Sequence, residues 1–182
     1  MGAKMKFRYT YNMPIGNIVI CEENDKITGI YLDNIEENNK KKEKGTLKES
    51  PSIKETLTIE KEATFVKEAT PLIKVAKNQL DEYFNGKRKE FDFPMHMKGT
   101  QFQVKVWEAL RTIPYGKTCS YKEVAIKIGN PKASRAVGMA NNKNPLLIVV
   151  PCHRVIGANG SLVGYACGLH VKENLLQLEG QV

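Results

Sequence analysis

In 182 residues there is no apolar run near the ~20 residues that a membrane-spanning helix requires, so no membrane association is expected. The start, Met1 to Tyr11, is basic and lacks the apolar stretch of a secretory signal, which makes the cytoplasm the expected address. Cysteine is scarce. Cys21, Cys119, Cys152 and Cys167 form no C-x-x-C pair, which excludes a disulfide scaffold and a four-cysteine zinc module and predicts free thiols. With three histidines in all, and His96 unassigned, no metal site and no cofactor are expected. Acidic residues are rare in one half only. Residues 93–182 hold 11 Lys+Arg against 4 Asp+Glu, whereas residues 1–92 hold 17 against 16, so the net charge of +8 lies almost wholly in the second half. A basic module suits a polyanionic partner, since each neutralised phosphate releases counterion; a merely basic, soluble surface is the competing reading.

A hydrophobic content of 41% is enough for a real core. Phe7–Tyr11, Gly16–Ile20 and Ile27–Leu32 are short alternating or apolar runs separated by turn residues, the pattern of β-strands. From 34 to about 62 the chain becomes a Lys/Glu/Asn mixture that predicts a solvated insertion. Residues from Pro71 to Phe84 carry Leu72, Val75, Ala76, Leu80, Tyr83 and Phe84 at helical spacing, and Asn85-Gly86 ends that helix. Thr100-x-x-Gln103 and Ser120-x-x-Glu123 are capping boxes, each opening a helix. After Gly129-Asn130-Pro131 a third helix is expected from about Lys132 to Ala140, and the short pair joined by this turn suggests a helix-turn-helix. Ala133, Ser134, Ala136, Gly138 and Ala140 make much of that helix small, with Arg135 projecting. Gly138 inside a helix costs about 1 kcal/mol against Ala, which tight internal packing or close approach to an outside surface would explain.

Leu146–Val150 reads as a buried strand that delivers the chain to Pro151-Cys152-His153-Arg154. A thiolate is a nucleophile and a neighbouring base activates it, but adjacent residues on an extended chain point opposite ways, so a bend or a bridging water must connect Cys152 and His153. The run from Pro151 through Gly157, then Gly160-Ser161-Leu162, Gly164-Tyr165, Gly168-Leu169, Lys172, Leu175-Leu176 and Glu179 closely resembles the O6-alkylguanine-DNA alkyltransferase family. Phe102-Gln103, Val106-Trp107, Ile113–Gly116, Ser120-Tyr121, Asn130-Pro131, Arg135–Gly138 and Asn144-Pro145 match the same pattern. The resemblance is dense from about 100 to 180 and looser over 1–32 and 71–97.

The resemblance implies a DNA repair protein that flips out an O6-alkylguanine, and by extension an O4-alkylthymine, and takes the alkyl group irreversibly onto Cys152. It implies that His153 takes the thiol proton through a water, that Glu179 orients His153, that Asn144 holds the active-site turn and bonds near the thiol, and that Tyr121 donates a proton toward the departing base. Val155 would accept the base through main-chain atoms, with Tyr165 as a pocket wall and Cys167 at the pocket rim. Arg135 would fill the gap left in the base stack while its helix, with Ser134, Ala136 and Gly138, enters the minor groove; Tyr121, Lys122, Asn130 and Gln103 complete the DNA face. The partner is duplex DNA carrying the lesion, and the protein is expected to be a monomer without it. The implied fold is an α/β N-terminal domain with a ribonuclease-H-like sheet, residues 1–92, followed by a mostly α domain with a winged-helix-like helix-turn-helix, residues 93–182. Two departures stand out: Cys167 replaces the family's usual Gly, and Ala166 lacks the hydroxyl that some relatives offer to the guanine oxygen. Two rivals remain, a thiol hydrolase that turns over repeatedly and a non-catalytic module that binds alkylated DNA.

Overall fold

The computed structural model describes residues 5–33 and 65–180. Strands β1 (Lys6–Met13), β2 (Gly16–Glu23) and β3 (Lys26–Leu32) form an antiparallel meander, and β4 (Phe65–Lys67) joins β1 in parallel, giving the order β3-β2-β1-β4. The first hairpin closes on Pro14-Ile15. The second turns at Asn24 and Asp25, both with positive φ, which these short polar side chains tolerate better than most. The charged segment expected at 34–62 lies outside the described residues.

Helix α1 (Pro71–Phe84) has the predicted bounds for local reasons. Thr70 caps it by accepting from Ile73 N at 3.1 Å, and Pro71 takes the first turn, where no N–H is needed. Its buried stripe of Ile73, Ala76, Leu80 and Tyr83 belongs to the same core as Ile18, Ile20, Ile27 and Ile30 of the sheet. The outer edge of β3 ties the sheet to the second half of the chain. Ile27 N donates to Pro94 O at 2.9 Å, Ile30 N to Pro145 O at 2.8 Å, and Leu147 N to Ile30 O at 3.0 Å.

Both capping boxes form. They open α2 (Gln101–Arg111) and α3 (Tyr121–Lys127), the latter preceded by the short strand β5 (Cys119–Ser120). The helix expected at 132–140 is α4 (Ser134–Asn142), shifted by two residues because Ala133 N still bonds back to Asn130 O in the preceding turn. Trp107 of α2 is buried and donates to Ala140 O at 2.8 Å, which fixes α4 against α2. Beyond it come β6 (Val155–Ile156), parallel to β5, and α5 (Leu169–Leu178). The buried strand expected at 146–150 is instead a buried tight turn, with bridges only between Ile30 and Leu146 and between Leu147 and Val150. Ile148 within it has φ 71°, a region that a β-branched residue enters only under tertiary constraint.

Ser120 both caps α3 and orders the β5–α3 corner beneath Tyr121, accepting from Glu123 N at 3.2 Å. Ser120→Ala should therefore lower stability by about 1 kcal/mol in urea unfolding, and no measurable change would contradict the capping role.

Candidate active site

The turn that replaces the expected strand is built by Asn144. Its Oδ1 accepts from Leu146 N at 2.9 Å, its Nδ2 donates to Val150 O at 2.7 Å, and the same Nδ2 lies 3.1 Å from Cys152 Sγ. One side chain thus clamps both ends of the turn and touches the sulfur. The chain then enters a single 3-10 turn, Cys152–Arg154, rather than continuing extended. The two side chains therefore do not simply alternate as on a strand, and all three residues of the turn are buried.

Glu179, at the C-terminal end of α5, holds this turn. Its Oε1 pairs with His153 Nε2 at 2.8 Å and accepts from Tyr83 Oη at 2.7 Å and Arg154 Nη2 at 2.9 Å. Its Oε2 accepts from Arg154 Nε at 2.8 Å and Gly116 N at 3.1 Å. Arg154 Nη1 donates onward to Ile113 O at 2.7 Å. Burial works to raise the Glu179 pKa, but the donors of His153, Arg154 and Tyr83 outweigh it and hold the carboxyl well below its ordinary range. Burial lowers the His153 pKa despite the opposing pull of Glu179, so the imidazole is neutral. With Glu179 ionised, the ring proton faces it on Nε2, and Nδ1 is left as a buried acceptor with no partner among the described residues.

Cys152 lines a cavity with Asn141, Tyr165, Ala166 and Cys167, and Ile30 and Leu32 of β3 contribute from the N-terminal sheet. Burial pushes its thiol pKa up, and Asn144, Tyr165 and the Lys172 ammonium only partly offset this, so the resting group is a thiol with thiolate-stabilising neighbours in place. Cys167 is pushed up to about 12 by burial and by Cys152. The Lys172 ammonium bonds Val155 O at 2.5 Å and Val163 O at 2.9 Å, and burial brings its pKa down to about 8. Tyr121 is half-buried, with its hydroxyl 3.1 Å from Val163 O and 3.3 Å from Gly164 O; burial and then Cys152 raise its pKa.

Not every expected contact is open. Both main-chain groups of Val155 are occupied, its N–H by Cys152 O and its C=O by Lys172, so the expected acceptance of a base there would require the carbonyl's second lone pair. Gln103 spends its Oε1 on Thr100 N at 2.9 Å in the capping box, which leaves only its amide N–H groups for DNA. Arg135, Ala136, Lys122 and Asn130 are exposed, and Ser134 and Gly138 are partly so. Internal packing does not require glycine at 138. A Cβ there would lie 3.7 Å from Tyr121 Cε1, an ordinary contact, which leaves approach to an outside surface as the explanation. Helix α4 runs from exposed Arg135 to buried Asn141, whose Nδ2 reaches Cys152 O at 3.3 Å. Tyr83, Arg154, Lys172 and Asn141 are site residues that sequence reasoning missed. Each acts through a tertiary contact, and the available hint was a long polar side chain on a helix's apolar face, as with Lys172 beside Val171, Leu175 and Leu176. Among the described residues no group of three potential ligands could hold a metal ion, and no helix is long and apolar enough to cross a membrane.

His153 and Glu179 both have lowered pKa values in the folded protein, so each contributes stability that is present above its unfolded value and lost as the pH falls. Urea midpoints should decline below about pH 6.5 through His153 and again below about pH 4.3 through Glu179, and Glu179→Gln should flatten the lower limb. An equal slope in wild type and variant below pH 4.3 would contradict this.

The chain matches two domain descriptions of one family: the ribonuclease-like domain of 6-O-methylguanine DNA methyltransferase over residues 6–97 and the DNA binding domain over residues 101–181. The methylated-DNA–protein-cysteine methyltransferase of Methanosarcina acetivorans is 63% identical over 105 residues, 58% of this chain and 67% of that protein. The constitutive enzyme of the same name from Bacillus subtilis is 44% identical over 184 residues, 96% of each chain. A crystal structure of Mycobacterium tuberculosis OGT in complex with DNA superposes with a TM-score of 0.77 at 38% identity, covering 95% of this chain and 92% of that one. A clamped cysteine turn, the carboxylate that holds it and agreement along both halves lead to one conclusion: this chain belongs to the 6-O-methylguanine DNA methyltransferase family.

Proposed function

We propose that the protein repairs DNA by moving the alkyl group of O6-alkylguanine onto Cys152, once per molecule. The observation that carries this reading is the buried Cys152 sulfur. It is contacted by the Asn144 clamp, followed in the chain by an imidazole whose free nitrogen is a base, and set at the inner end of a helix whose outer end presents Arg135. The thiol proton passes to His153 Nδ1, through a water where the two do not touch. Sulfur attacks the alkyl carbon in line, the S–C bond forms as the C–O bond breaks, and guanine leaves with the electron pair. Tyr121 supplies a proton to the departing ring, while Glu179 stabilises the imidazolium that results. Nothing in this sequence regenerates the thiol.

Because a buried sulfur cannot reach a stacked base, the lesion must leave the duplex. We read α4 as the minor-groove element, since its small exposed residues suit a groove ~6 Å wide, and Arg135 as the side chain that occupies the vacated stack. Lys122 in the first turn of α3 and Asn130 in the turn before α4 are exposed and are read as phosphate contacts. The two halves, 1–92 and 93–182, are read as a supporting domain and a DNA-binding, alkyl-accepting domain. The non-catalytic alternative is disfavoured by the presence of Cys152 itself and of the groups arranged around it.

Product should plateau at one equivalent of protein when lesion-bearing duplex is in excess, and Cys152→Ser should abolish transfer while retaining DNA binding; turnover beyond one equivalent would indicate a hydrolase instead. Arg135→Ala should slow repair of duplex by about ten- to hundredfold, with little effect on a free-base analogue, because flipping costs a few kcal/mol that only duplex imposes. Equal losses on both substrates would remove the flipping role.

A further inference from the structure

The donors on Glu179 fall unequally on its two oxygens. Oε2 takes Arg154 Nε and Gly116 N, whereas Oε1 takes three at once: Tyr83 Oη at 2.7 Å, His153 Nε2 at 2.8 Å and Arg154 Nη2 at 2.9 Å. The oxygen that faces the base of the reaction is the more crowded one. Arg154 has a structural task of its own there, since it spans both oxygens and donates onward to Ile113 O. Tyr83 has none within the turn. It comes from α1, 96 positions from Glu179 in the chain, and its fully buried ring packs against Phe84, Phe91 and Tyr115. A phenylalanine would fill the same space, so what the tyrosine adds is one O–H. Burial and the Glu179 carboxylate push that phenol far above its ordinary pKa, so it stays protonated and, facing an ionised carboxylate, can only donate.

We propose that Tyr83 is a positioning residue that tempers the basicity of His153: by donating to the oxygen that His153 faces, it limits how strongly Glu179 stabilises the imidazolium. This rests on the reading of Cys152 as the alkyl acceptor and His153 as its base. The positive end of the O–H dipole points at the oxygen on which the imidazolium depends, and disfavours the charged ring as any nearby positive charge does. Tyr83 keeps its own proton throughout; the proton that moves is the one from Cys152 to His153 Nδ1. The charged groups facing His153 are Glu179, which favours its protonation, and Arg154 and Lys172, which oppose it. Tyr115 stands beside Glu179 but spends its hydroxyl on Leu178 O at 3.1 Å. Too strong a base would already carry a proton when the lesion arrives and could not accept the one from the thiol. Through one hydroxyl, the N-terminal half acts on the chemistry as well as on the fold.

The test follows methyl transfer to Cys152 by mass as a function of pH, with a single-stranded oligonucleotide carrying O6-methylguanine as substrate. Circular dichroism at each pH ensures that the acid limb is read on folded protein. In full-length Tyr83→Phe the midpoint of the acid limb should rise by about one pH unit, because the imidazolium forms more readily. A purely structural role would lower the rate at every pH and leave the midpoint in place. Incorporation of 3-fluorotyrosine at position 83 strengthens the donor without removing it and should move the midpoint downward, which keeps the proposal testable if the phenylalanine variant does not fold. A midpoint unmoved in Tyr83→Phe, or one that rises with 3-fluorotyrosine, would overturn the role of Tyr83 while leaving Cys152 as acceptor. Failure of the wild-type protein to methylate Cys152 at any pH would instead overturn the reading on which it rests.

Discussion

A carboxylate buried without partners costs several kcal/mol, and the active site is organised around one that has five contacts. Glu179 is reached from three separate parts of the chain: Tyr83 from the helix over the N-terminal sheet, Gly116 from the loop after α2, and His153 and Arg154 from the 3-10 turn itself. Removing one donor leaves a buried carboxylate lone pair unmatched, so the contacts depend on one another. The N-terminal sheet contributes no nucleophile or base, but through Tyr83 and the β3 edge it braces the turn that does.

Around this rigid hub the polar groups that face the sulfur are left incomplete. Cys152 is a neutral thiol at rest because it is buried, yet Asn144 and Lys172 already favour the thiolate it must become. Under the proposed mechanism, the cost of the charged form is deferred until His153 takes the proton. Asn141 Oδ1 and His153 Nδ1, beside the cysteine turn, are buried without a partner among the described residues. Cys167 shares the cavity, but no comparable set of hydrogen bonds offsets its burial.

What the sequence disclosed followed the range of the interaction. The capping boxes at Thr100 and Ser120 are set by residues within one turn, and each was legible to the residue; the Thr70 cap of α1 is equally local but was not singled out. Leu146–Val150 was misread because five apolar, mostly branched residues carry a strand's composition. What bends them is Asn144 clamping the turn and β3 bonding its flank, and no local pattern announces the left-handed Ile148. The resemblance supplied Glu179 as the partner of His153, but not Tyr83, which lies 96 positions away, nor Arg154 as a second ligand of the same carboxylate. Gln103 and Val155 show the converse. A group in the right place can already be engaged: Gln103 in the cap that its own motif announces, and the Val155 carbonyl by Lys172, a contact that only the folded structure reveals.

The central claim concerns one sulfur atom, and intact-mass measurement with peptide mapping addresses it directly. After incubation with excess duplex containing O6-methylguanine, the account predicts a gain of one methyl group per chain, located on the peptide that contains Cys152. An unchanged mass, or a methyl group found on Cys167, would contradict it.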